Sequence, residues 1–345
     1  MTERFLGFQL KNLGDVLMTL PALALLKKRR PNSFLSLVVR PQTAPLLECH
    51  PLVDEVVAHS FKPRGLDFLS TRRLAKTLKS QGFSASFHFD GQKRGGVLAL
   101  WARLPVRAVG LGLLGVSGLK SPWLYNRKVA LRAPHGAWES LALSHQRLVA
   151  EVLGVEPEPA LLAPGLTIPP AAQAAAKALL AGLPGTGPTI GLTLRGRQKE
   201  KSWPLDFWAE VVRDLWRAKG ARFYVAGEAR DRELAEALAR LAGVKMGDFC
   251  GLTDLLGFVA LAAESDLYLT VDTGSAHLVS LTATPLVTIF TATNPVQWGA
   301  LSQRQTRICY EWALARFGLS SGPFLGFPVV RPPEAIGAAL AFLEE

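Results

Sequence analysis

Residues 267–278 read LYLTVDTGSAHL, and this stretch decides which class of fold the chain can adopt. Its first five residues are rich in Leu and Val, as in a buried parallel strand. The apolar run stops at DTGS, 272–275; a helix-compatible run and a second apolar strand at 286–290 follow. A polar turn between a strand and a helix exposes backbone N–H groups and the positive end of the helix dipole, which bind anions. A purely structural helix cap at Asp272 or Thr273 is an equally good interpretation.

His277 lies one turn into that predicted helix, so its side chain would project from the same end as the turn. A lone histidine is more often packed in a core than used in a site. His277 therefore favours a binding site only in combination with other polar clusters.

The length and composition of the chain limit its class. A chain of 345 residues suits two domains, and 49% apolar with 19% charged residues indicates substantial cores. The cysteines Cys49, Cys250 and Cys309 form no CxxC or Cys/His cluster, which predicts no zinc site and a reducing, cytoplasmic setting. The apolar run at 16–26 is followed rather than preceded by a basic cluster, unlike a signal peptide. We expect a soluble protein.

The charge is concentrated in the first half of the chain. Residues 1–165 contain 22 Lys and Arg against 11 Asp and Glu, whereas residues 166–345 contain 17 of each. This asymmetry predicts an anionic partner for the first half: nucleic acid, a membrane surface or an acidic substrate. A basic surface that serves only solubility is the alternative.

The N-terminal region predicts a βαβ unit. A strand over 5–10, a glycine-containing loop over 11–15, a helix over 16–30 and a second strand over 33–40 follow each other. Pro21 falls inside the helix and should kink or restart it. The order strand, loop, helix, strand implies a parallel sheet with a right-handed crossover.

The α/β pattern occurs twice along the chain. A stretch rich in Pro and Gly over 154–188 interrupts it, and a new series of strands and helices starts at Thr189. We predict an α/β fold of two Rossmann-like domains that face a central cleft, over 1–165 and 166–330, with ligands at the carboxyl ends of the strands. The helix within 331–345 could pack back on the first domain.

Four polar clusters follow predicted strands: KNLGD at 11–15, RGRQKEKSWP at 195–204, GEARD at 227–231 and DTGSAH at 272–277. The carboxylate of Asp15 could cap a helix or take a proton from a substrate hydroxyl. The basic second cluster suits a phosphate or diphosphate, or it is a solvated charge run. An acid of the third cluster could bind ribose hydroxyls, or cap a helix.

Several common enzyme classes are excluded. No GxGxxG follows the first strand, and no GxxxxGK[ST] occurs, which argues against a dehydrogenase and a P-loop NTPase. GLSSG at 318–322 fits the GxSxG spacing, but no predicted strand leads into it, which argues against the nucleophile elbow of an α/β-hydrolase.

Four motifs carry a resemblance to a known family: LKNLGDVLMTLPAL at 10–23, KSWP at 201–204, VDTGSAH at 271–277 and NPVQWG at 294–299. In order and spacing they resemble the signatures of glycosyltransferase family 9, the ADP-heptose:lipopolysaccharide heptosyltransferases. The resemblance covers nearly the whole chain. It implies a GT-B fold with the acceptor on the N-terminal domain, the nucleotide-sugar on the C-terminal domain and no metal requirement.

The resemblance also implies roles for single residues. Asp15 matches the catalytic base that deprotonates the acceptor hydroxyl for inverting attack, Lys201 matches a lysine that contacts the diphosphate, and Asp231 falls where an acid contacts the ribose. Further donor-binding candidates lie in the second and fourth clusters: Arg197, Asp272, Thr273, Gly274 and His277. Acceptor-binding candidates are the glycine before the base and basic residues of the first half: Gly14, Arg72, Arg73, Lys93 and Arg94.

The chain departs from the family pattern in two places. Asn12 stands where a small hydroxyl residue is common, and FTATNP at 290–295 replaces FGPTDP. Residues 305–330 lack the cysteine pairs of some members, and residues 115–135 look irregular and receive no role.

We expect an inverting, metal-independent transfer of heptose from ADP-heptose to an inner-core (Kdo/heptose) acceptor of lipopolysaccharide, with no cofactor. The partners would be the nucleotide-sugar and an anionic glycolipid, bound by a monomer at the cytoplasmic face of the inner membrane. Two alternatives stay open. One is another GT-B enzyme with a different donor, or an epimerase; the other is a non-catalytic nucleotide or nucleic-acid binder. We expect no nucleic acid, because the sequence contains neither an RNP-like motif nor a helix-turn-helix pattern.

Overall fold

A computed structural model describes residues 2–61, 66–111, 121–131, 139–163, 165–311, 325–327 and 330–345. The chain divides into two compact units, Met1–Pro164 and Gly165–Glu345. Each unit contains one parallel sheet with helices packed on it. In the described ranges no helix is long and apolar enough to cross a membrane.

The sheet of the first unit has six parallel strands: β1 (Arg4–Gln9), β2 (Phe34–Val39), β3 (Glu55–Ala58), β4 (Ala85–His88), β5 (Arg107–Leu111) and β6 (Arg127–Ala130). Their order is β3-β2-β1-β4-β5-β6. The order reverses between β1 and β4, and in such sheets ligands bind outside the carboxyl ends of the strands at the reversal point. Five of the six residues in β1 are buried, as a sheet covered on both faces requires.

The helices of the first unit are α1 (Leu13–Leu17), α2 (Leu20–Arg29), α3 (Ala44–Glu48), α4 (Leu66–Ser80), α5 (Lys93–Trp101) and α6 (Leu141–Leu153). The helix predicted over 16–30 is therefore two helices. Pro21 lies in the first turn of α2, where its missing N–H group leaves no hydrogen bond unmade. The predicted restart is confirmed.

The sheet of the second unit has seven parallel strands: β7 (Thr189–Thr193), β8 (Arg222–Val225), β9 (Gly247–Asp248), β10 (Leu267–Val271), β11 (Leu286–Phe290), β12 (Gln305–Tyr310) and β13 (Leu325–Phe327). Their order is β13-β12-β11-β10-β7-β8-β9, with the reversal between β10 and β7. Every residue of β10 is buried. The strand predicted at 267–271 thus lies in the middle of the sheet, beside the reversal point.

The helices of the second unit are α7 (Pro170–Ala181), α8 (Leu205–Lys219), α9 (Arg232–Ala242), α10 (Leu255–Ala263), α11 (Gly274–Val279), α12 (Pro295–Trp298) and α13 (Pro332–Leu343). The last of these packs on α8 and on β10, β11 and β12. Ala335 and Ala339 are fully buried in the core of this unit. The helix therefore belongs to the second unit, which differs from the expectation that it could pack back on the first domain.

Some elements escaped the sequence analysis. β6 lies inside the stretch 115–135 that received no assignment, and three of its four residues are exposed, so no apolar run marks it. Helix α6 begins at Leu141, and Ser140 caps it by accepting a hydrogen bond from the backbone N–H of Leu143. Positions 115–120 and 132–135 of the unassigned stretch lie outside the described residues.

Candidate active site

The loop after β1 places a carboxylate at the reversal point of the first sheet. Asp15 lies in the first turn of α1 and is half-buried. Burial raises the pKa of Asp15 above its ordinary value, while the charge of Lys11 and backbone hydrogen bonds from Asn12 and Asp15 itself oppose the increase. A carboxyl group with a raised pKa is a stronger proton acceptor than a solvated one, as general-base catalysis requires.

Asp90, to which the sequence analysis gave no role, stands behind this loop. It follows β4 and is buried. Its Oδ2 accepts a hydrogen bond from the N–H of Leu10 at 2.6 Å, and its Oδ1 accepts one from the N–H of Gln92 at 2.9 Å. Burial raises the pKa of Asp90 to about 6, and the nearby charge of Asp15 adds to the increase. Asp90 therefore joins the loops after β1 and β4, and its own pKa is affected by the charge of the expected base.

The acceptor-binding candidates fall into two groups. Gly14 lies in α1, and Lys93 and Arg94 open α5 directly after the loop of Asp90, so all three stand at the carboxyl edge of the sheet. The guanidinium of Arg94 donates to a backbone carbonyl in the loop after β3 at 2.9 Å. Arg72 and Arg73 instead lie on the exposed face of α4, more than one turn from its first residue. The structure does not group these two with the base.

In the second unit an ion pair stands at the reversal point. Lys201 ends a 3-10 turn after β7, and Asp272 directly follows β10. The Nζ of Lys201 lies 2.7 Å from Oδ2 of Asp272, whose side chain is 5% exposed. Thr293, in the loop after β11, donates its hydroxyl to the same oxygen. Loops from three neighbouring strands therefore converge on the carboxylate of Asp272.

These contacts decide between the two interpretations of the opening stretch. Thr273 stands at the N-cap position of α11, but its side chain makes no capping hydrogen bond, and the carboxylate of Asp272 accepts from Lys201 and Thr293. The interpretation that a side chain of Asp272 or Thr273 caps the helix is therefore wrong. Gly274 is the first residue of α11, so backbone N–H groups of its first turn lie beside the ion pair.

His277 is buried in α11 close to this ion pair. Burial lowers the pKa of His277 to about 4, with the charges of Lys201 and Arg307 adding to the decrease and that of Asp272 opposing it. The imidazole is therefore neutral at pH 7 and can donate or accept a hydrogen bond without adding charge.

Gly196 allows the loop after β7 to approach the ion pair. A Cβ atom at this position would lie 2.9 Å from Cβ of Lys201 and 3.5 Å from the carbonyl oxygen of Asp272. Any side chain here would displace the lysine. Arg197, the next residue, is exposed at the same edge.

Asp231 is committed to its own loop. Its Oδ1 accepts from Nε of Arg195 at 2.5 Å, and its Oδ2 accepts from the N–H of Glu228 at 2.9 Å in a capping box. The cap alternative therefore describes these contacts, and ribose binding by Asp231 stays a prediction. Glu228, the other acid of this cluster, is exposed and follows β8, the position from which an acid reaches the ribose in Rossmann folds.

Among the described side chains no group of three His, Cys, Asp or Glu residues is arranged to hold a metal ion. The site of the second unit instead combines one lysine, one carboxylate, a neutral histidine and backbone N–H groups. Such a set can bind a phosphate or diphosphate.

Residues 71–319 match the family model of glycosyltransferase family 9 (heptosyltransferase). The chain belongs to this family. It is therefore a glycosyltransferase, and the resemblance seen in the sequence motifs is confirmed.

Individual relatives of this glycosyltransferase cover most of its length. Lipopolysaccharide heptosyltransferase 2 of Salmonella typhimurium is 23% identical over 298 residues, which are 82% of this chain and 81% of the relative. A family 9 glycosyltransferase structure from Veillonella parvula has a TM-score of 0.83 at 21% identity and covers 99% of this chain and 97% of its own. The ADP-heptose lipopolysaccharide heptosyltransferase II structure from E. coli has a TM-score of 0.76 at 19% identity, covering 99% and 98%. These likenesses confirm the α/β GT-B fold with two Rossmann-like units.

Two of the departures from the family pattern, Thr291 and Asn294, have structural roles in this glycosyltransferase. The hydroxyl of Thr291 donates to the carbonyl of Glu200 at 2.6 Å and so fixes the turn that carries Lys201. The side-chain oxygen of Asn294 caps α12 by accepting from the N–H groups of Val296 and Gln297. The substituted residues thus stabilise the loop after β11 and its contact with the Lys201 turn.

Proposed function

We propose that this glycosyltransferase transfers heptose from ADP-heptose to an inner-core (Kdo/heptose) acceptor of lipopolysaccharide, with inversion at the anomeric carbon and without a metal ion. The family and the names of the relatives support the sugar and the acceptor class. The observation that carries the proposal is the ion pair of Lys201 and Asp272 at the reversal point of the second sheet.

On the donor side, the bond between the sugar and the diphosphate breaks and ADP leaves with the bonding electrons. The Nζ of Lys201 carries three N–H donors, and one of them is directed at Asp272. The other donors can bind phosphate oxygens, with a charge held in place before the reaction starts. Lys201 would therefore stabilise the negative charge that develops on the leaving group, the role that a metal ion fills in other enzymes.

On the acceptor side, Asp15 would take the proton of the attacking hydroxyl while that oxygen forms the new bond to the anomeric carbon. Its raised pKa favours this proton transfer. The cations Lys93 and Arg94 at the same edge of the sheet would bind the carboxylate or phosphate groups of an inner-core acceptor. The donor would be held by Arg197, Lys201, Asp231 or Glu228, Asp272, Thr273, Gly274 and His277.

We also propose that the enzyme acts as a monomer on the cytoplasmic face of the inner membrane, where it would meet an anionic glycolipid acceptor. The positive balance of residues 1–165 supports an anionic partner for this half. No cofactor enters the reaction, and ADP-heptose is a substrate.

The test is a transfer assay with purified enzyme, ADP-heptose and lipid A that carries Kdo or Kdo-heptose. Release of ADP together with a product heavier by one heptose is expected, and UDP- and GDP-sugars should give no product. Turnover with a UDP-sugar alone, or interconversion of a nucleotide-sugar without an acceptor, would instead identify another GT-B enzyme.

Metal independence is tested in the same assay by adding EDTA. Because Lys201 would supply the charge at the leaving group, we expect the rate to be unchanged by the chelator. A loss of activity that Mg²⁺ restores would contradict this part of the proposal.

A further inference from the structure

One face of α4 is exposed over residues 68–80. Ala75 and Leu78 are buried in the core of the first unit. The opposite side carries the exposed side chains of Phe68 and Leu69, next to Trp101 of the neighbouring helix α5. It also carries a row of cations. We call the exposed residues of α4 the α4 face: Phe68, Leu69, Arg72, Arg73, Lys76 and Lys79.

The apolar part of the α4 face is unusually exposed. The side chain of Phe68 is 53% exposed and that of Leu69 is 58% exposed. Such apolar side chains are more stable when they are buried away from water. The ring of Phe68 contacts Trp101, the last residue of α5, edge to face with centroids 5.1 Å apart. Trp101 is itself 38% exposed. Contiguous exposed apolar groups of this kind mark interaction sites.

The cations of the α4 face differ from others in the same unit. At the end of α2 a basic cluster is matched by carboxylates: Lys27 with Asp54, Lys28 and Arg29 with Glu158, and Arg30 with Glu3. On the α4 face, Arg72, Arg73, Lys76 and Lys79 form no ion pair with any side chain that the structure describes. Their charge is available to an anionic partner.

Helical spacing places the two kinds of group together. Phe68, Arg72, Lys76 and Lys79 follow one another at intervals of four, four and three residues, so they lie along one side of the helix. Exposed aromatic residues beside a row of cations are suited to contact with the surface of an anionic bilayer. There the rings insert at the level of the headgroups and the cations bind lipid phosphates.

We propose that the α4 face, together with Trp101, docks the enzyme on an anionic lipid bilayer. The reason for the enzyme to work at a membrane, a glycolipid acceptor, rests on the proposed function. Docking itself can be measured without turnover. Single-stranded nucleic acid also uses aromatic residues and cations. It is less suited to this surface, because Leu69 offers no ring for base stacking and the edge-to-face contact of Phe68 with Trp101 occupies a ring face.

The experiment measures co-sedimentation of the full-length enzyme with vesicles. Binding is expected to vesicles of phosphatidylcholine with phosphatidylglycerol, weakly or not at all to phosphatidylcholine alone, and it should weaken as salt is added. The variants are Phe68→Ser, Leu69→Ser and the double variant Arg72→Glu/Arg73→Glu. Each should lower the apparent affinity by about tenfold or more.

Matched controls come from the second unit. Trp216→Ser removes a side chain of similar exposure, 50%, from α8. Arg217→Glu/Arg240→Glu reverses two exposed cations. Both controls should bind vesicles as the wild type does, and circular dichroism with a melting curve checks that every variant is folded.

Two results would overturn the docking proposal. One is equal vesicle binding by wild type and by folded α4-face variants. The other is binding of a single-stranded RNA oligonucleotide, lost in the same variants, without binding to vesicles. Vesicle binding by an enzyme that transfers no heptose would overturn the proposed function but not the docking surface, so the two failures can be told apart.

Discussion

The Nζ of Lys201 lies 2.7 Å from Oδ2 of Asp272, although the two residues are 71 positions apart in the chain. The pair is formed by the loops that follow β7 and β10, which are neighbouring parallel strands. Its position at the reversal point of the second sheet is where a Rossmann fold binds phosphates. The pair therefore ties the loops of two neighbouring strands together at the place where the donor is proposed to bind.

Replacing Lys201 with methionine should weaken ADP binding by about 10- to 100-fold, because a charge-assisted hydrogen bond is lost. It should also lower the free energy of unfolding by about 3 kcal/mol, since the carboxylate of Asp272 stays buried without its partner. Isothermal titration with ADP and urea unfolding measure the two effects.

A double variant separates these effects. Lys201→Met/Asp272→Asn removes both charges, so it should regain most of the stability but not the ADP affinity. Lys199→Met, an exposed lysine on the same 3-10 turn, is the matched control and should change neither. Unchanged ADP affinity in the single variant would remove Lys201 from the phosphate site.

Replacing Asp15 with asparagine should lower kcat by about 100-fold or more, because the proposed general base is lost. The affinity for ADP should stay within about twofold of wild type, since the proposed donor-binding residues belong to the other unit. Glu151→Gln, an exposed carboxylate on α6, serves as the control and should be fully active. Retained turnover in the Asp15 variant would show that another group accepts the proton.

The pH profile of kcat/KM should fall on the acid side as Asp15 becomes protonated. The charge of Lys11 lowers the pKa of Asp15, so Lys11→Met should raise that pKa and move the acid limb to higher pH. Lys128→Met, an exposed lysine on β6, should leave the limb in place. A shift in the opposite direction, or none, would show that the limb reports a different group.

Asp90 should make stability depend on pH. Burial raises the pKa of Asp90 in the folded protein to about 6 from the ordinary value of 3.8, so the folded state binds more protons between these values. The contribution of Asp90 to the free energy of unfolding should therefore fall by about 3 kcal/mol in total as the pH rises from about 4 to above 6.

The variant Asp90→Asn tests this sign. It does not titrate, and it loses one of the two acceptors that hold the N–H groups of Leu10 and Gln92. The loss in free energy of unfolding relative to wild type should be larger at about pH 4.5 than at about pH 7.5. A difference that is equal at the two pH values would show that Asp90 does not carry a raised pKa.

Gly196→Ala should weaken ADP binding about tenfold or more, because the new methyl group collides with the stem of Lys201 and must displace it. Gly337→Ala is the control. Its Cβ would meet nothing within 4 Å inside α13, so it should raise the melting temperature slightly and leave ADP binding unchanged. Equal ADP affinity in the two variants would show that the loop after β7 can relax without moving the lysine.

Local features of the sequence were sufficient for much of the fold. The apolar run and polar turn at 267–278 are a strand and a helix start, and Pro21 marks the break between α1 and α2. These features depend on neighbours within a few residues, through apolar periodicity and the missing N–H of proline. Short strands such as β6 and β9 lack that local signal, because their pairing partners, not their own composition, make them strands.

The sequence by itself determined the two α/β units, the family and the expected roles of Asp15 and Lys201. Only the tertiary structure decided that Asp272 pairs with Lys201 and does not cap α11, that Asp231 is tied to its own loop, and that Asp90 holds the loop of the base. These contacts join residues from different strand ends. Strand order brings such ends together, and strand order is set by the packing of the whole sheet and not by local propensity.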